Sequence, residues 1–223
     1  MIKACLFDLD GTLLDTLESI RYFLNTTLRK YSVREISSAE TRLFVGNGAA
    51  NLVRRAMRAG GLDASGADAA LFETILGEYV DAYDREPFYL TVPYRGIPEA
   101  IDRLYSAGIK LAVISNKPDQ TVIQLCEKIF GGSFSAVRGA REGVPLKPDP
   151  CALFEICDLL GVDSKEVAYF GDTCTDMETG RRFGAALNVG VLWGFRGEDE
   201  LRASGADRII SDPSEIAELV LSV

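Results

Sequence analysis

Hydrophobic positions follow two different spacings along the chain. The first apolar run, residues 2–7, is short and ends directly in polar residues, which predicts a buried strand. Between residues 15 and 86, apolar residues instead recur every three or four positions, which predicts several helices and no good strand. Asp15 and Glu18 have the spacing of a capping box and are expected to open the first of these helices.

After Pro87, short β-rich runs alternate with helical patterns. The predicted strands in this part span residues 109–114, 134–137, 167–170, 186–189 and 208–210. Such alternation predicts right-handed βαβ units and a parallel sheet with helices on both faces. We therefore expect an α/β fold. A doubly wound, Rossmann-like core domain (residues 1–14 and 87–223) would carry an inserted all-helical domain (residues 15–86).

Composition narrows the chemistry that is available. The chain is 47% hydrophobic and 26% charged, as expected for a folded protein with a real core. A net charge of −9 leaves no broad basic face for nucleic acid. Histidine is absent, which excludes Ser-His-Asp catalysis and histidine-ligated zinc. Carboxylates, lysines, hydroxyls, thiols or a hard metal ion must do the chemistry.

The cysteines and the N-terminus bear on location. Five cysteines, an odd number with no CxxC pair, are typical of reduced thiols in a cytoplasmic protein. The first acidic residue, Asp8, comes too early for a signal peptide, and no apolar run is long enough to span a membrane. We expect a cytoplasmic protein without membrane partners, and the sequence leaves its oligomeric state open.

Four polar clusters lie at or near the carboxyl ends of predicted strands, the edge where open α/β sheets bind ligands. They are Asp8-Leu9-Asp10-Gly11-Thr12, Ser115-Asn116-Lys117, Lys147-Pro148-Asp149-Pro150 and Gly171-Asp172-Thr173-Cys174-Thr175-Asp176. Carboxylates crowded at one edge repel one another unless a cation joins them, and oxygen ligands favour Mg²⁺. A carboxylate beside a metal can attack phosphorus, while lysine and serine hold phosphate oxygens.

Simpler interpretations exist for single motifs. The first cluster alone could be half of an EF-hand loop, but Leu13 and Leu14 occupy positions that should be polar, and a strand precedes it. Asp172 and Asp176 alone could cap the following helix. A lone Lys147 would most often be a solvated surface residue.

Together, in this order, the motifs resemble those of the haloacid dehalogenase superfamily of phosphohydrolases. The resemblance spans nearly the whole chain and includes the helical insert. Within that superfamily, Asp15-Thr16, Val45-Gly46-Asn47-Gly48 and Tyr94-Arg95-Gly96 are similar to the phosphoglycolate phosphatase branch.

The resemblance implies roles for the acidic residues. Asp8 would be the nucleophile, and Asp10 would protonate the leaving oxygen and then deprotonate the hydrolytic water. Mg²⁺ would sit on Asp8, the backbone carbonyl of Asp10, and Asp172. Asp176 would support the site, either by ordering metal-bound water or by pairing with Lys147.

It also implies how substrate is held. Ser115, Asn116 and Lys147 would bind the transferring phosphoryl group. The helical insert would be a mobile cap that excludes water, with Gly46 and Asn47 as candidates to meet the leaving group.

The expected function is Mg²⁺-dependent hydrolysis of a small phosphorylated metabolite such as phosphoglycolate, through an aspartyl-phosphate. One alternative is a phosphomutase resembling β-phosphoglucomutase, and another is a phosphatase for pyrophosphate or a nucleotide monophosphate. Trp193 and Phe195 are expected only to pack against the sheet domain. A dehalogenase is disfavoured because Asp10 is present. A non-catalytic binding protein is disfavoured because no catalytic carboxylate is missing.

Overall fold

The computed structural model describes residues 1–222. Its strands are β1 Ala4–Phe7, β2 Leu14–Asp15, β3 Val92–Pro93, β4 Lys110–Pro118, β5 Ala136–Ala140, β6 Val167–Gly171, β7 Leu187–Val191 and β8 Arg208–Ile210. Its α-helices are α1 Leu17–Lys30, α2 Ser38–Phe44, α3 Ala49–Ala59, α4 Ala69–Arg85, α5 Ile97–Ser106, α6 Asp119–Phe130, α7 Cys151–Leu160, α8 Cys174–Phe183, α9 Glu198–Ala203 and α10 Ser214–Leu221. None of these helices is both long and apolar enough to cross a membrane.

One six-stranded parallel sheet is formed by β1 and the strands that follow β3. Its strand order is β5-β4-β1-β6-β7-β8, with every neighbouring pair parallel. β1 and β6 are buried along their whole length, because strands covered on both faces need continuous apolar sequence. Each of the six predicted strands is present, so the predicted parallel sheet is confirmed.

Helices cover both faces of this sheet. Cys5 and Phe7 of β1 face a core layer that includes buried residues of α5, α6 and α10. Ala4 and Leu6 face the other layer, which includes residues of α7. This alternation within β1 is the period-two pattern of a strand between two helical layers, and it confirms the predicted doubly wound α/β fold.

The chain divides into two compact units, Met1–Asp15 with Pro93 onward, and Thr16–Val92. The second unit contains α1 to α4. Its buried faces follow helical spacing, with Ile20, Phe23, Leu24 and Leu28 in α1 and Phe72, Ile75, Tyr79 and Tyr83 in α4. The predicted boundary after residue 86 follows the end of α4, whereas the helical unit extends to Val92.

The predicted capping box at Asp15 and Glu18 is wrong. Asp15 belongs to β2, which pairs with β3, and the N-cap of α1 is Thr16, without a side-chain capping bond. The Glu18 carboxylate instead accepts hydrogen bonds from Arg21 at 2.7 Å and from the Ser38 hydroxyl at 2.6 Å. The extended pairing of Asp15 therefore replaced the local capping geometry that its spacing suggested.

Candidate active site

Asp8 directly follows β1 and is buried at the carboxyl edge of the sheet. The chain then turns tightly, with the N–H groups of Leu13 and Leu14 both donating to the Leu9 carbonyl. Gly11 makes this turn possible, since its φ is +90° and a β-carbon there would lie 2.3 Å from an Asp172 oxygen. The turn therefore brings the first polar cluster against the fourth.

Lys147 joins Asp8 to Asp176. Its Nζ donates to Asp8 Oδ1 and to Asp176 Oδ1, each at 2.7 Å, and all three side chains are buried. The hydroxyl of Tyr169, on β6, donates to the same Asp176 oxygen at 3.1 Å. The resemblance left two roles open for Asp176. The structure has one of them, the pairing with Lys147.

Asp172 is held by hydrogen bonds from two distant segments. The Thr12 hydroxyl donates to its Oδ1 at 3.1 Å, and the Phe195 N–H donates to its Oδ2 at 2.8 Å. Gly194 permits this approach, because a β-carbon there would lie 2.3 Å from the Asp172 β-carbon. The Trp193 indole N–H donates to the Thr12 carbonyl at 2.9 Å, which ties the loop after β7 to the turn after β1.

This loop does more than the sequence indicated. Trp193 and Phe195 pack against the sheet domain as expected, but the Phe195 N–H also bonds the Asp172 carboxylate, and Trp193 bonds Thr12, whose hydroxyl bonds that carboxylate as well. The available signal was a glycine between two aromatic residues, directly after a predicted strand. Tyr169, which bonds Asp176, was also missed because it is part of an apolar strand pattern.

Ser115 and Asn116 lie near the carboxyl end of β4. Ser115 is buried, and its Oγ accepts a hydrogen bond from the Lys117 N–H at 3.3 Å. The Asn116 side-chain amide bonds the backbone of Lys147 twice, donating to its carbonyl at 3.1 Å and accepting from its N–H at 2.9 Å. Both polar ends of the Asn116 side chain therefore fix the segment that carries Lys147.

A second ion pair lies at this edge and was not predicted. Lys117 Nζ is 3.1 Å from Asp10 Oδ1 and 3.2 Å from Asp10 Oδ2. The sequence placed Lys117 in the second polar cluster without giving it a role. No periodicity connects residues 107 positions apart, so only the sheet order could have revealed the contact.

Burial and like charge strongly perturb the acidic groups. Burial, reinforced by the charge of Asp176, raises the pKa of Asp8 to about 7, although Lys147 opposes the shift. Burial also raises the pKa of Asp172, with contributions from Asp176 and Asp8. Burial alone would lower the pKa of Lys147, but the charges of Asp176 and Asp8 outweigh it and raise that pKa.

The carboxylates form a candidate cation site. Oxygen atoms of Asp8, Asp172 and Asp176 lie within 4.8 Å of one another, and within residues 1–222 the Lys147 ammonium is the one basic group bonded to them. When all three carboxyl groups are ionised, the one ammonium group leaves an excess negative charge. That excess and the all-oxygen donor set fit a hard divalent cation such as Mg²⁺.

The oxygens of this cluster are not equally available. Asp176 Oδ1 accepts from Lys147 and Tyr169, and its Oδ2 accepts from the N–H and the hydroxyl of Thr173, at 3.0 and 2.5 Å. These four bonds match the roughly four acceptor positions of a carboxylate. The hydrogen bonds to Asp172 described above occupy one position on each of its oxygens. Asp8 and Asp172 are therefore better placed than Asp176 to bind a cation.

Gly46 and Asn47 lie in the helical unit, in the loop between α2 and α3. Arg55 of α3 fixes this loop by donating to Asn47 Oδ1 at 2.8 Å and to the Phe44 carbonyl at 2.7 Å. The Asn51 side chain donates to the Asn47 carbonyl at 2.9 Å. The loop is thus anchored by the helix that follows it.

Comparison with known proteins gives a consistent result. Residues 5–189 match the family described as Haloacid dehalogenase-like hydrolase. Phosphoglycolate phosphatase of Pseudomonas syringae pv. tomato is 33% identical over 211 residues, covering 94% of this chain and 76% of the relative. N-acetylmuramic acid 6-phosphate phosphatase of Pseudomonas aeruginosa is 31% identical, covering 98% and 95%. A crystal structure from Lactobacillus delbrueckii subsp. bulgaricus superposes with a TM-score of 0.85 at 30% identity, covering 98% of both chains.

Proposed function

The chain belongs to the haloacid dehalogenase-like hydrolase family, and on that premise we propose that it hydrolyses a small phosphate monoester through an aspartyl-phosphate formed on Asp8. The observation that carries the proposal is the buried Asp8, which directly follows β1 and is held by Lys147 at 2.7 Å. A carboxylate fixed in this way beside a candidate cation site has the environment of a phosphoryl-accepting nucleophile.

In the first step, an Asp8 oxygen forms a bond to phosphorus while the bond from phosphorus to the leaving oxygen breaks. Asp10 delivers its proton to that oxygen, so the alcohol leaves uncharged. Lys147 and the Ser115 hydroxyl bind the other phosphoryl oxygens, where a positive charge and a hydrogen-bond donor stabilise the negative charge of the transition state.

In the second step, Asp10 is a carboxylate and accepts a proton from water. The water oxygen attacks phosphorus, the bond between phosphorus and Asp8 breaks, and inorganic phosphate is released. Asp10 ends the cycle protonated and Asp8 ends it as a free carboxylate, so both residues return to their starting state.

Asp8, Asp172 and the backbone carbonyl of Asp10 would hold Mg²⁺. When bound, the ion supplies positive charge that screens Asp8 from the phosphoryl group and stabilises the developing charge. Thr12 and Phe195 support this assignment because they fix the Asp172 carboxylate without using all of its acceptor positions.

Tryptophan fluorescence tests the cation site without an activity assay. Trp193 is the single tryptophan of the chain, and its indole bonds the Thr12 carbonyl. We expect Mg²⁺ to change its emission saturably, and Asp172→Asn to remove the response. An unchanged emission accompanied by calorimetric Mg²⁺ binding that is insensitive to Asp172→Asn would contradict the assignment of Asp172 as a ligand.

The names of two relatives support a substrate class. They concern phosphoglycolate and N-acetylmuramic acid 6-phosphate, both carboxylic acids that carry a phosphate monoester. We propose a substrate of the same class, with the helical unit serving as a cap and with Gly46 and Asn47 meeting the leaving group. Arg55 would keep that loop in a fixed conformation.

A substrate panel tests this proposal. Phosphate release is measured with phosphoglycolate, N-acetylmuramic acid 6-phosphate, pyrophosphate, a nucleotide monophosphate and β-glucose 1-phosphate. We expect the two carboxylic acids to have the highest kcat/KM. Equal, weak activity on all five would refute the substrate class, and conversion of β-glucose 1-phosphate to glucose 6-phosphate without phosphate release would identify the mutase alternative.

The acid–base role of Asp10 predicts a kinetic defect. Asp10→Asn should lower kcat/KM by about 10²–10⁴-fold, the usual contribution of general acid–base catalysis. The amide oxygen can still accept a hydrogen bond from Lys117, so we expect the fold to survive. Asp102→Asn, an exposed carboxylate on α5, is the matched control. A loss below tenfold in Asp10→Asn would contradict the role of Asp10.

A further inference from the structure

Asp8 and Asp10 are each held by a different lysine. Lys147 bonds one oxygen of Asp8, whereas Lys117 contacts both oxygens of Asp10, at 3.1 and 3.2 Å. The Lys117 side chain is only 7% exposed and the Asp10 side chain 19%. Lysine side chains are seldom this deeply buried. The fold therefore holds the Lys117 ammonium group beside Asp10.

Two features fix the backbone around Lys117, where the register between β4 and β5 shifts between Ile114 and Pro118 and β4 departs from regular pairing. Asp119 then accepts a hydrogen bond from the Gly139 N–H of β5 at 2.7 Å. A β-carbon at Gly139 would lie 2.6 Å from the Lys117 carbonyl oxygen, so a glycine is needed for this close approach.

The contact restrains the orientation of Asp10. A carboxylate that follows a strand by three residues can rotate about its side-chain bonds, and a bond to one oxygen leaves part of that freedom. Contacts from one ammonium group to both carboxylate oxygens remove most of this rotational freedom. Because Lys117 is itself held by an anchored backbone, the Asp10 carboxylate has a fixed place at the sheet edge.

We propose that Lys117 is a positioning residue. Its contacts hold the ionised Asp10 carboxylate in place, and when Asp10 is protonated Lys117 keeps its contact with the other oxygen, so that the carboxyl group stays oriented to exchange its proton with the leaving oxygen. This inference rests on the proposed function and deepens it, since it assigns a role to a residue outside the nucleophile, the phosphoryl-binding groups and the metal ligands. Lys117 acts through Asp10, and its loss should affect the proton-dependent part of the reaction selectively.

Leaving-group dependence separates this role from a purely structural one. Phosphoglycolate has an alkyl leaving group that needs a proton, whereas p-nitrophenyl phosphate releases a stable anion. Lys117→Met should lower kcat/KM for phosphoglycolate by about 10–100-fold, the scale of a 1 Å misplacement. The same variant should lower kcat/KM for p-nitrophenyl phosphate by less than about threefold, because an activated leaving group gains little from a general acid.

Three further variants complete the test. Lys117→Arg should recover part of the activity on phosphoglycolate, because it retains a cation with several donors. Adding Lys117→Met to Asp10→Asn should cause no further loss, because the two residues act as a unit. Lys3→Met, which removes an exposed lysine paired with Glu166, should behave as wild type with both esters.

Equal losses on both esters in folded Lys117→Met, or additive losses in the double variant, would overturn the positioning role. If the unmodified enzyme released phosphate from neither ester, the proposed function itself would fail. If the unmodified enzyme were active and Lys117→Met kept full activity on phosphoglycolate, only the present inference would fail.

Discussion

Asp8→Asn is expected to abolish phosphate release while leaving the protein folded. An amide cannot form the bond to phosphorus, and loss of a covalent nucleophile costs hydrolases at least about 10⁴-fold in kcat. The asparagine oxygen can still accept the hydrogen bond from Lys147. Because burial and the charge of Asp176 raise the pKa of Asp8 to about 7, removing this charge should keep or raise the melting temperature measured in EDTA.

Asp158→Asn is the matched control, since this residue is an exposed carboxylate on α7. It should retain full activity and an unchanged melting temperature. A near wild-type rate in Asp8→Asn would contradict covalent catalysis by this residue. A large fall in its melting temperature would contradict the conclusion that the ionised carboxylate is held at an energetic cost.

Lys147→Met should cause the largest loss of stability among single substitutions at the site. Lys147 bonds both Asp8 and Asp176, and removing one partner of a buried ion pair typically costs about 3–5 kcal/mol. The variant should also lose catalytic activity, because the phosphoryl oxygens lose their buried cation. Urea unfolding in EDTA measures the first effect and phosphate release measures the second.

The stability of Lys147→Met should depend on pH in a defined direction. Without the ammonium group, the pKa of Asp8 in the folded protein lies still further above its value in the unfolded chain. A carboxyl group with a raised folded-state pKa contributes most to stability below its unfolded pKa of about 4, and that contribution is lost as pH rises through the folded-state pKa. The difference from wild type should therefore be larger at pH 8 than at pH 5.

Lys3→Met provides the comparison for stability. Its ion pair with Glu166 is exposed, and such pairs contribute about 0–1 kcal/mol. If Lys147→Met cost no more than Lys3→Met at pH 8, the buried network of Asp8, Lys147 and Asp176 would not have the energetic role described here.

The strands were predictable because parallel strands covered on both faces need uninterrupted apolar sequence. The apolar run that became β1 and the strand–helix alternation after Pro87 together indicated the parallel sheet and its crossover helices. The start of α1 was not predictable from local spacing, because Asp15 pairs with a strand about 80 residues further along the chain. Local capping preferences gave way to tertiary pairing.

The acidic centre was predictable for a related reason. Asp8, Ser115 and Asp172 each follow or end an apolar run, and parallel strands bring such positions to one edge. The supporting contacts were not predictable. Trp193 meets Thr12 across 181 residues, and Lys117 meets Asp10 across 107. These contacts depend on strand order and loop conformation, which hydrophobic periodicity does not encode.

The decisive measurement is phosphate release from phosphoglycolate by the purified wild-type protein, first with Mg²⁺, then after EDTA, and again after Mg²⁺ is restored. We expect rapid release with Mg²⁺, near-complete loss in EDTA, and full recovery when Mg²⁺ is returned. Release that continues unchanged in EDTA would contradict the role given to the carboxylate cluster. Absence of release from phosphoglycolate and from every other ester of the panel would contradict the proposed phosphatase activity itself.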